Sequence, residues 1–133
     1  PTKGTIFISV NDNDKDAMLP IATDLAGLGY GVLATRGTAR FLNDKGIKAA
    51  TVAKVGEGAP HIGQLIRQGD VQMVINTPLG QRSRYDESAI RRESHALDIP
   101  CITTLSGGRA AVDGIRALRR GLDEVVSLQK LRS

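Results

Sequence analysis

The stretch TIFISVNDNDKDAMLPIATDLAGLGYGVLAT, residues 5–35, joins two apolar runs through an amphipathic segment. The first run, TIFISV (5–10), is short, β-branched and apolar, which is typical of a buried strand. Apolar side chains then recur every three to four residues, as on a helix face, at Met18, Ile21, Leu25 and Leu28. Gly29 is placed to end this helix, and YGVLAT (30–35) predicts a second strand. Two strands joined by a helix indicate a parallel pair.

The same alternation continues along the chain. Further helices are predicted at 38–46, 61–70, 86–98 and 106–122, and further strands within 47–54, 71–77 and 99–105. Residues 123–131 predict a short edge strand. The pattern as a whole predicts one domain over residues 1–133, with a Rossmann-like three-layer α/β/α architecture and a five-stranded parallel sheet.

Local signals refine these boundaries. Asp14 is a good N-cap for the first helix, and Ser106 is placed as the N-cap of the last long helix. Pro20 lies beyond the first turn of the first helix, so a kink or a late start is expected there.

Composition excludes several classes of protein. The formal net charge is +4, which suits an anionic ligand, but only 3% of residues are aromatic, so stacking surfaces for single-stranded bases are nearly absent. A nucleic-acid-binding module is therefore the weakest candidate. Cys101 is the single cysteine of the chain, and there are only two histidines. These are too few ligands for a structural zinc site. No apolar run approaches the roughly 20 residues that span a bilayer, and no signal-peptide pattern opens the chain, so a cytoplasmic location is expected.

A phosphate site is predicted at the carboxyl ends of the strands, where open parallel sheets bind ligands. Thr35 and Thr38 lie between the second strand and the next helix, whose first N–H groups favour an anion. Gly37 allows the backbone to approach a ligand closely. Lys15 and Lys54, each just past a strand end, supply positive charge. The alternative is that the threonines merely cap a helix and that the lysines are solvated.

Other polar residues near strand ends are candidates for ligand contact rather than catalysis. Ser9 could donate a hydrogen bond or be a satisfied strand serine, and Asn76 could contact a base or ribose or form a turn before Thr77. His61 and His95 have no evident nucleophile or metal partner in the sequence. Neither a P-loop nor a dinucleotide-binding motif occurs, and nothing resembles a magnesium-binding carboxylate cluster. No catalytic residue and no metal site is predicted.

Five ordered segments carry a family resemblance: ISVNDNDKD (8–16), LATRGTARFL (33–42), VAKVGEGAPHI (52–62), VINTPLGQR (74–82) and TTLSGGRAA (103–111). With them the chain resembles the methylglyoxal-synthase-like domain at the C-terminus of the large subunit of carbamoyl phosphate synthase. The resemblance covers nearly all of the chain and implies a C-terminal fragment of a much longer polypeptide.

The resemblance implies an allosteric domain that binds nucleotide monophosphates of the UMP or IMP type. Such a domain regulates glutamine- and ATP-dependent carbamoyl phosphate synthesis for pyrimidine and arginine biosynthesis. It would hold no cofactor itself, because ATP, magnesium and potassium belong to the parent ligase. Its implied partners are the synthetase modules of the same chain and a glutamine amidotransferase small subunit.

Site residues follow from the resemblance position by position. It assigns the effector phosphate to Lys15, Thr35, Thr38 and Lys54. It assigns the sugar and base side to Ser9, Asn76, Thr77, Val55 and Ile62. Thr103 matches a position that contacts ornithine at the junction with the synthetase module in some bacterial enzymes. The chain departs from the family pattern at Pro78, where a second threonine is expected, and at Cys101, where a tyrosine is expected.

The alternative within this resemblance is methylglyoxal synthase, a lyase that eliminates phosphate from dihydroxyacetone phosphate. That reaction requires a carboxylate base beside the substrate. Ala59 stands at the position of the catalytic aspartate, and Glu57 is two positions away. Asn11, Asp12 and Arg84 occupy the neighbourhoods of the expected histidines. The sequence therefore predicts phosphate binding without the catalytic base.

Overall fold

Strands and helices alternate along the residues that the structure describes. The computed structural model describes residues 4–52, 62–77 and 87–132, without the side chains of 63, 87–89, 123–124 and 126–132. The strands are β1 (Thr5–Ser9), β2 (Gly31–Ala34), β3 (Ala50–Thr51), β4 (Met73–Asn76) and β5 (Cys101–Ile102). The helices are α1 (Lys15–Gly27), α2 (Arg36–Asp44), α3 (Ile62–Arg67), α4 (Glu87–Ala96) and α5 (Leu105–Arg132).

These strands form one parallel sheet in the order β3-β2-β1-β4-β5, which confirms the predicted fold. Side chains of β1 alternate between its two faces. Ile6 and Ile8 pack with the buried residues of α1, α2 and α5, whereas Phe7 packs with those of α3 and α4. The sheet therefore has a hydrophobic core on each face, and the helices form the outer layers.

The end of α1 shows why the strand–helix–strand segment folds as predicted. Gly29 has a φ of +96°, a conformation that costs other residues more than glycine. Its N–H donates to the Ala26 carbonyl at 3.0 Å, and the Tyr30 N–H donates to the Leu25 carbonyl at 3.2 Å. This pair of bonds is a Schellman motif, and it turns the chain directly into β2. α1 begins at Lys15, so the late start that Pro20 suggested does not occur.

The last helix differs from the prediction at both ends. The cap is supplied by Thr104 rather than Ser106, because the Thr104 hydroxyl accepts a hydrogen bond from the Gly107 N–H at 3.0 Å. The predicted edge strand over 123–131 is wrong, since α5 continues to Arg132. Its apolar residues keep helical spacing across that region, and no proline interrupts it. None of the described helices, α5 included, combines the length and the apolar character of a membrane span.

A charged cluster clamps α5 to α1. Asp24 of α1 accepts a hydrogen bond from Arg109 at 2.7 Å and lies 3.2 Å from an Arg116 nitrogen. The hydrogen bond from Arg109, helped by the charge of Arg116, lowers the pKa of the Asp24 carboxyl below its ordinary value of 3.8. A carboxyl with a lowered folded-state pKa stabilises the protein above its unfolded-state pKa and loses that contribution as pH falls through the folded-state value.

We therefore expect Asp24→Asn to destabilise the protein at neutral pH but not at strongly acidic pH. Urea denaturation of both proteins, from neutral pH to below the ordinary carboxyl pKa, measures the difference. The difference in unfolding free energy should shrink as Asp24 of the wild type becomes protonated. Asp113→Asn, at an exposed position of α5, is the matched control. If the difference in unfolding free energy stayed constant over the whole pH range, the ion pairs of Asp24 would not stabilise the protein.

Candidate functional site

Three central strands bring predicted site residues to one edge of the sheet. Ser9 ends β1, Asn76 ends β4, and Thr35 follows directly after β2. Ser9 and Asn76 are paired in the parallel register, and the β1–β2 register places the end of β2 beside them. All three side chains are buried. The predicted site residues at these three strand ends thus lie side by side, at the carboxyl ends of the strands.

The two threonines form a bonded pair at the start of α2. The Thr38 hydroxyl oxygen accepts a hydrogen bond from the Val10 N–H at 3.4 Å and another from the Thr35 hydroxyl at 3.2 Å. A hydroxyl has two acceptor positions and one proton, so Thr38 keeps its proton for an acceptor on a ligand. An anionic oxygen is such an acceptor.

The helix begins earlier than the sequence suggested. Arg36, not Thr38, is its first residue, and Thr35 occupies the N-cap position with extended backbone. The Thr35 side chain makes no capping hydrogen bond to the helix. Thr35 thus caps α2 by its position and its carbonyl, which accepts from the Ala39 N–H at 2.7 Å, but not through its hydroxyl. The first N–H groups of a helix have no partner within that helix, and in α2 they lie beside the hydroxyl pair.

Lys15 places a positive charge over this turn. It is the first residue of α1, and a Cβ added to Gly37 would lie 3.9 Å from its Nζ. Its side chain is only 17% exposed, and its ammonium pairs with the carboxylate of Asp12, which is 95% exposed. That hydrogen bond lowers the pKa of Asp12. The ammonium thus lies near the positive ends of two helices, where an anion relieves the repulsion.

A short 3-10 turn, Asp12–Asp14, lies directly before Lys15 and has a capping residue that the sequence interpretation missed. Asp14 occupies the N-cap position of α1 as predicted, but its side chain makes no capping hydrogen bond to that helix. Asn11 caps the preceding 3-10 turn, because its side-chain oxygen accepts from the Asp14 N–H at 2.9 Å. Its side-chain amide also donates to the Asp14 carboxylate at 2.7 Å. The spacing of an Asx residue three positions before Asp14 was the available signal.

Two buried polar atoms at the site have no hydrogen-bond partner in residues 4–52, 62–77 and 87–132. Ser9 Oγ and Asn76 Oδ1 are buried, in residues that are only 1% and 3% exposed, and neither atom has a hydrogen-bond partner among the residues that the structure describes. An unsatisfied buried polar atom costs about 1–3 kcal/mol, and native structures keep few of them without a reason. A bound molecule with complementary polar groups would satisfy both atoms.

Removing one of these atoms gives a direct test of that interpretation. We expect Ser9→Ala to raise the free energy of unfolding by about 1 kcal/mol, because it deletes a buried hydroxyl that has no partner. Ser94→Ala is the matched control, since the equally buried Ser94 hydroxyl donates to the Ile90 carbonyl at 2.7 Å. The control should lose about 1 kcal/mol. Urea denaturation of the three proteins without ligand decides the sign, and a loss of stability in Ser9→Ala would refute the interpretation.

Comparison with known proteins agrees with this fold. A family model described as "MGS-like domain" matches residues 17–103. The chain belongs to the MGS-like domain family. Two solved structures share the fold of this MGS-like domain. Methylglyoxal synthase from Elizabethkingia anophelis NUHP1 has a TM-score of 0.69 at 21% identity, over 84% of this chain and 78% of that chain. ForH has a TM-score of 0.62 at 18% identity, over 89% of this chain and 80% of that chain.

Sequence relatives of the MGS-like domain are large chains of carbamoyl phosphate synthase. The large chain from Acidobacterium capsulatum is 47% identical over 133 residues, which is 100% of this chain and 12% of that protein. The C-terminal section from Methanopyrus kandleri is 46% identical over 120 residues, 90% of this chain and 22% of that protein. The chain thus spans a small part of the length of these relatives.

The remaining predicted site residues of the MGS-like domain differ in their surroundings, and some of them lie outside the described residues. The buried Thr77 accepts at its hydroxyl a hydrogen bond from the Asn11 N–H at 3.1 Å and so holds the loop after β1. Ile62 is 1% exposed and packs in the core with Phe7. Lys54 and Val55 lie outside the described residues, as do His61 and the positions on which the lyase alternative depends: Glu57, Ala59 and Arg84.

Thr103 does not lie beside the threonine pair that follows β2. It is exposed after β5, and β1 and β4 separate it from the threonine pair after β2. Three strand spacings make that separation roughly 14 Å. His95 is exposed on α4. Cys101 lies half-buried against the core, and burial raises the pKa of its thiol.

Proposed function

We propose that this MGS-like domain is the effector-binding domain of a carbamoyl phosphate synthase large chain. It binds a nucleotide monophosphate of the UMP or IMP type, with the phosphate at the first turn of α2. The observation that carries the proposal is the convergence of the Lys15 ammonium and the Thr35–Thr38 hydroxyl pair on that turn. Similarity to the large chains over the whole of this chain supports the wider role.

The rest of the ligand follows from the neighbouring strands. Ser9 and Asn76 offer a hydroxyl and an amide oxygen that have no partner in the described part of the chain. Hydroxyl and N–H groups of a ribose or base would satisfy them, which makes a nucleotide a better ligand than inorganic phosphate. Thr77 lies on the same side, Lys54 adds a second cation to the phosphate, and Val55 and Ile62 bound the base.

Regulation requires that the ligand distinguish two states of the protein. Effector occupancy shifts how the domain docks on the synthetase modules of the same polypeptide, because the ligand binds the two docked states with different affinity. The parent enzyme is then a cytoplasmic ligase that uses glutamine, delivered by an amidotransferase small subunit, and ATP. Its product supplies pyrimidine and arginine biosynthesis, and Thr103 faces an ornithine site at the module junction.

Isothermal titration calorimetry tests the proposal. Uridylate and inosinate are titrated into the protein, with uridine and inorganic phosphate as matched controls. We expect heat from at least one nucleotide, weaker binding of phosphate and none of uridine. The absence of heat with both nucleotides at millimolar concentration would overturn the proposal.

The lyase alternative has a separate test. Similarity of fold to methylglyoxal synthase motivates an assay for methylglyoxal formed from dihydroxyacetone phosphate. We expect no turnover, because Ala59 stands where the catalytic carboxylate is needed. Turnover that disappears in Glu57→Gln would establish the lyase instead.

A further inference from the structure

The ammonium group of Lys15 has an anionic partner within its own chain. It is hydrogen-bonded to the carboxylate of Asp12, three residues earlier. The same ammonium lies 3.9 Å from the position that a Cβ on Gly37 would take, at the first turn of α2. Asp12 therefore holds the cation that the proposed function assigns to the effector phosphate.

The two partners of this ion pair differ in how firmly they are held. The side chain of Lys15 is 17% exposed and that of Asp12 is 95% exposed. Exposed side chains change rotamer within picoseconds to nanoseconds, and an exposed ion pair adds little stability. The Lys15 ammonium is therefore the fixed partner, and the Asp12 carboxylate is the partner that can leave.

Hydrogen bonds hold the backbone on both sides of Asp12. The Asn11 N–H donates to the Thr77 hydroxyl at 3.1 Å. The Asp14 N–H donates to the side-chain oxygen of Asn11 at 2.9 Å and to the Asn11 carbonyl at 3.1 Å. Because the turn is fixed in this way, a rotation of the Asp12 side chain is enough to release Lys15.

We propose that Asp12 competes with the effector phosphate for Lys15 and so lowers the affinity of the site for nucleotide, an inference that rests on the proposed function. A phosphate monoester carries about 1.5 to 2 negative charges at neutral pH, whereas a carboxylate carries a single charge. The positive ends of two helices favour the more highly charged anion. The phosphate displaces the carboxylate, which turns to solvent, and each binding event breaks the Lys15–Asp12 pair.

Calorimetric titration of Asp12→Asn with uridylate and inosinate tests the proposal. We expect binding about two- to fivefold tighter than in the wild type, which is the range that an exposed ion pair contributes. Asp44→Asn is the matched control, because Asp44 is an exposed carboxylate at the opposite end of α2 and its loss changes the net charge equally. The control should bind like the wild type. Equal gains in both variants would overturn the proposal.

The Lys15→Met background separates displacement from direct repulsion. If Asp12 acts by occupying the ammonium, adding Asp12→Asn to Lys15→Met should leave the affinity unchanged. A gain in that background as large as in the wild type would mean that the carboxylate repels the phosphate itself, and it would overturn the proposal. Weaker binding in Asp12→Asn alone would also overturn it, because Asp12 would then hold Lys15 in position for the phosphate.

Titration of the Asp12 carboxyl group by NMR tests the ion pair without any nucleotide. The hydrogen bond and the charge of Lys15 lower the pKa of this carboxyl, so Lys15→Met should return the pKa towards its ordinary value of 3.8. An unchanged pKa would overturn the proposal. The two proposals fail differently in calorimetry. Binding by the wild type without a gain in Asp12→Asn overturns the competition alone, whereas no binding by either protein overturns the proposed function and the competition with it.

Discussion

Replacing Lys15 with methionine is expected to weaken binding of uridylate or inosinate by about tenfold or more. A hydrogen bond from a charged donor contributes about 1.5–3 kcal/mol, and each 1.4 kcal/mol is about a factor of ten in affinity. The Lys15 ammonium lies over Gly37 and is largely shielded from solvent, so water cannot replace it at the phosphate. Methionine keeps an unbranched stem of similar length and removes the ammonium, with its charge and its hydrogen-bond donors. Calorimetric titration of the variant measures the loss.

Lys48→Met is the matched control for this loss. Lys48 is an exposed lysine before β3, so its removal changes the net charge equally without altering the site. Binding by the control should equal that of the wild type within experimental error. Equal weakening of both variants would mean that net charge, rather than a specific ammonium, attracts the nucleotide. An unchanged affinity in Lys15→Met would remove Lys15 from the site.

Thr38→Val is expected to reduce both stability and binding. The variant keeps the shape of the side chain but leaves the Val10 N–H and the Thr35 hydroxyl without their acceptor. A buried donor left unsatisfied costs about 1–3 kcal/mol, and the donor to the phosphate is lost as well. Urea denaturation measures the first effect, and nucleotide titration of the folded variant measures the second.

Thr23→Val provides the comparison for the threonine variant. The Thr23 hydroxyl donates to the Leu19 carbonyl at 2.7 Å on the exposed face of α1, where water can take its place. The control should lose little stability and no affinity. If Thr38→Val behaved like this control, the hydroxyl pair would have no role in either folding or recognition.

Much of the fold follows from patterns that the sequence displays directly. The helical spacing between 14 and 29 and the apolar runs on either side predicted β1, α1 and β2, because a buried strand and an amphipathic helix differ in period. The parallel sheet then fixed the edge at which Ser9, Thr35 and Asn76 meet. Gly29 ended α1 as expected, since the Schellman turn requires a positive φ.

The details that were not predicted depend on which of two neighbouring side chains makes a given hydrogen bond. Thr104 and Ser106 both precede the glycines of α5, and only the structure shows that Thr104 caps Gly107. Before α1, both Asn11 and Asp14 could cap through their side chains, and only the Asn11 side chain accepts a capping hydrogen bond. The missing partners of Ser9 and Asn76 are a property of three-dimensional neighbours, which no local pattern contains.

The two outermost strands of the sheet contain only two residues each, Ala50–Thr51 in β3 and Cys101–Ile102 in β5. A long, exposed outer strand offers unpaired amides and carbonyls on which a foreign chain can assemble into fibrils. Here the most hydrophobic segments, β1 and β4, lie inside the sheet, and each is bonded along both sides. The strands most prone to amyloid formation are therefore protected inside the sheet. We expect concentrated solutions of the folded protein to form few fibrils.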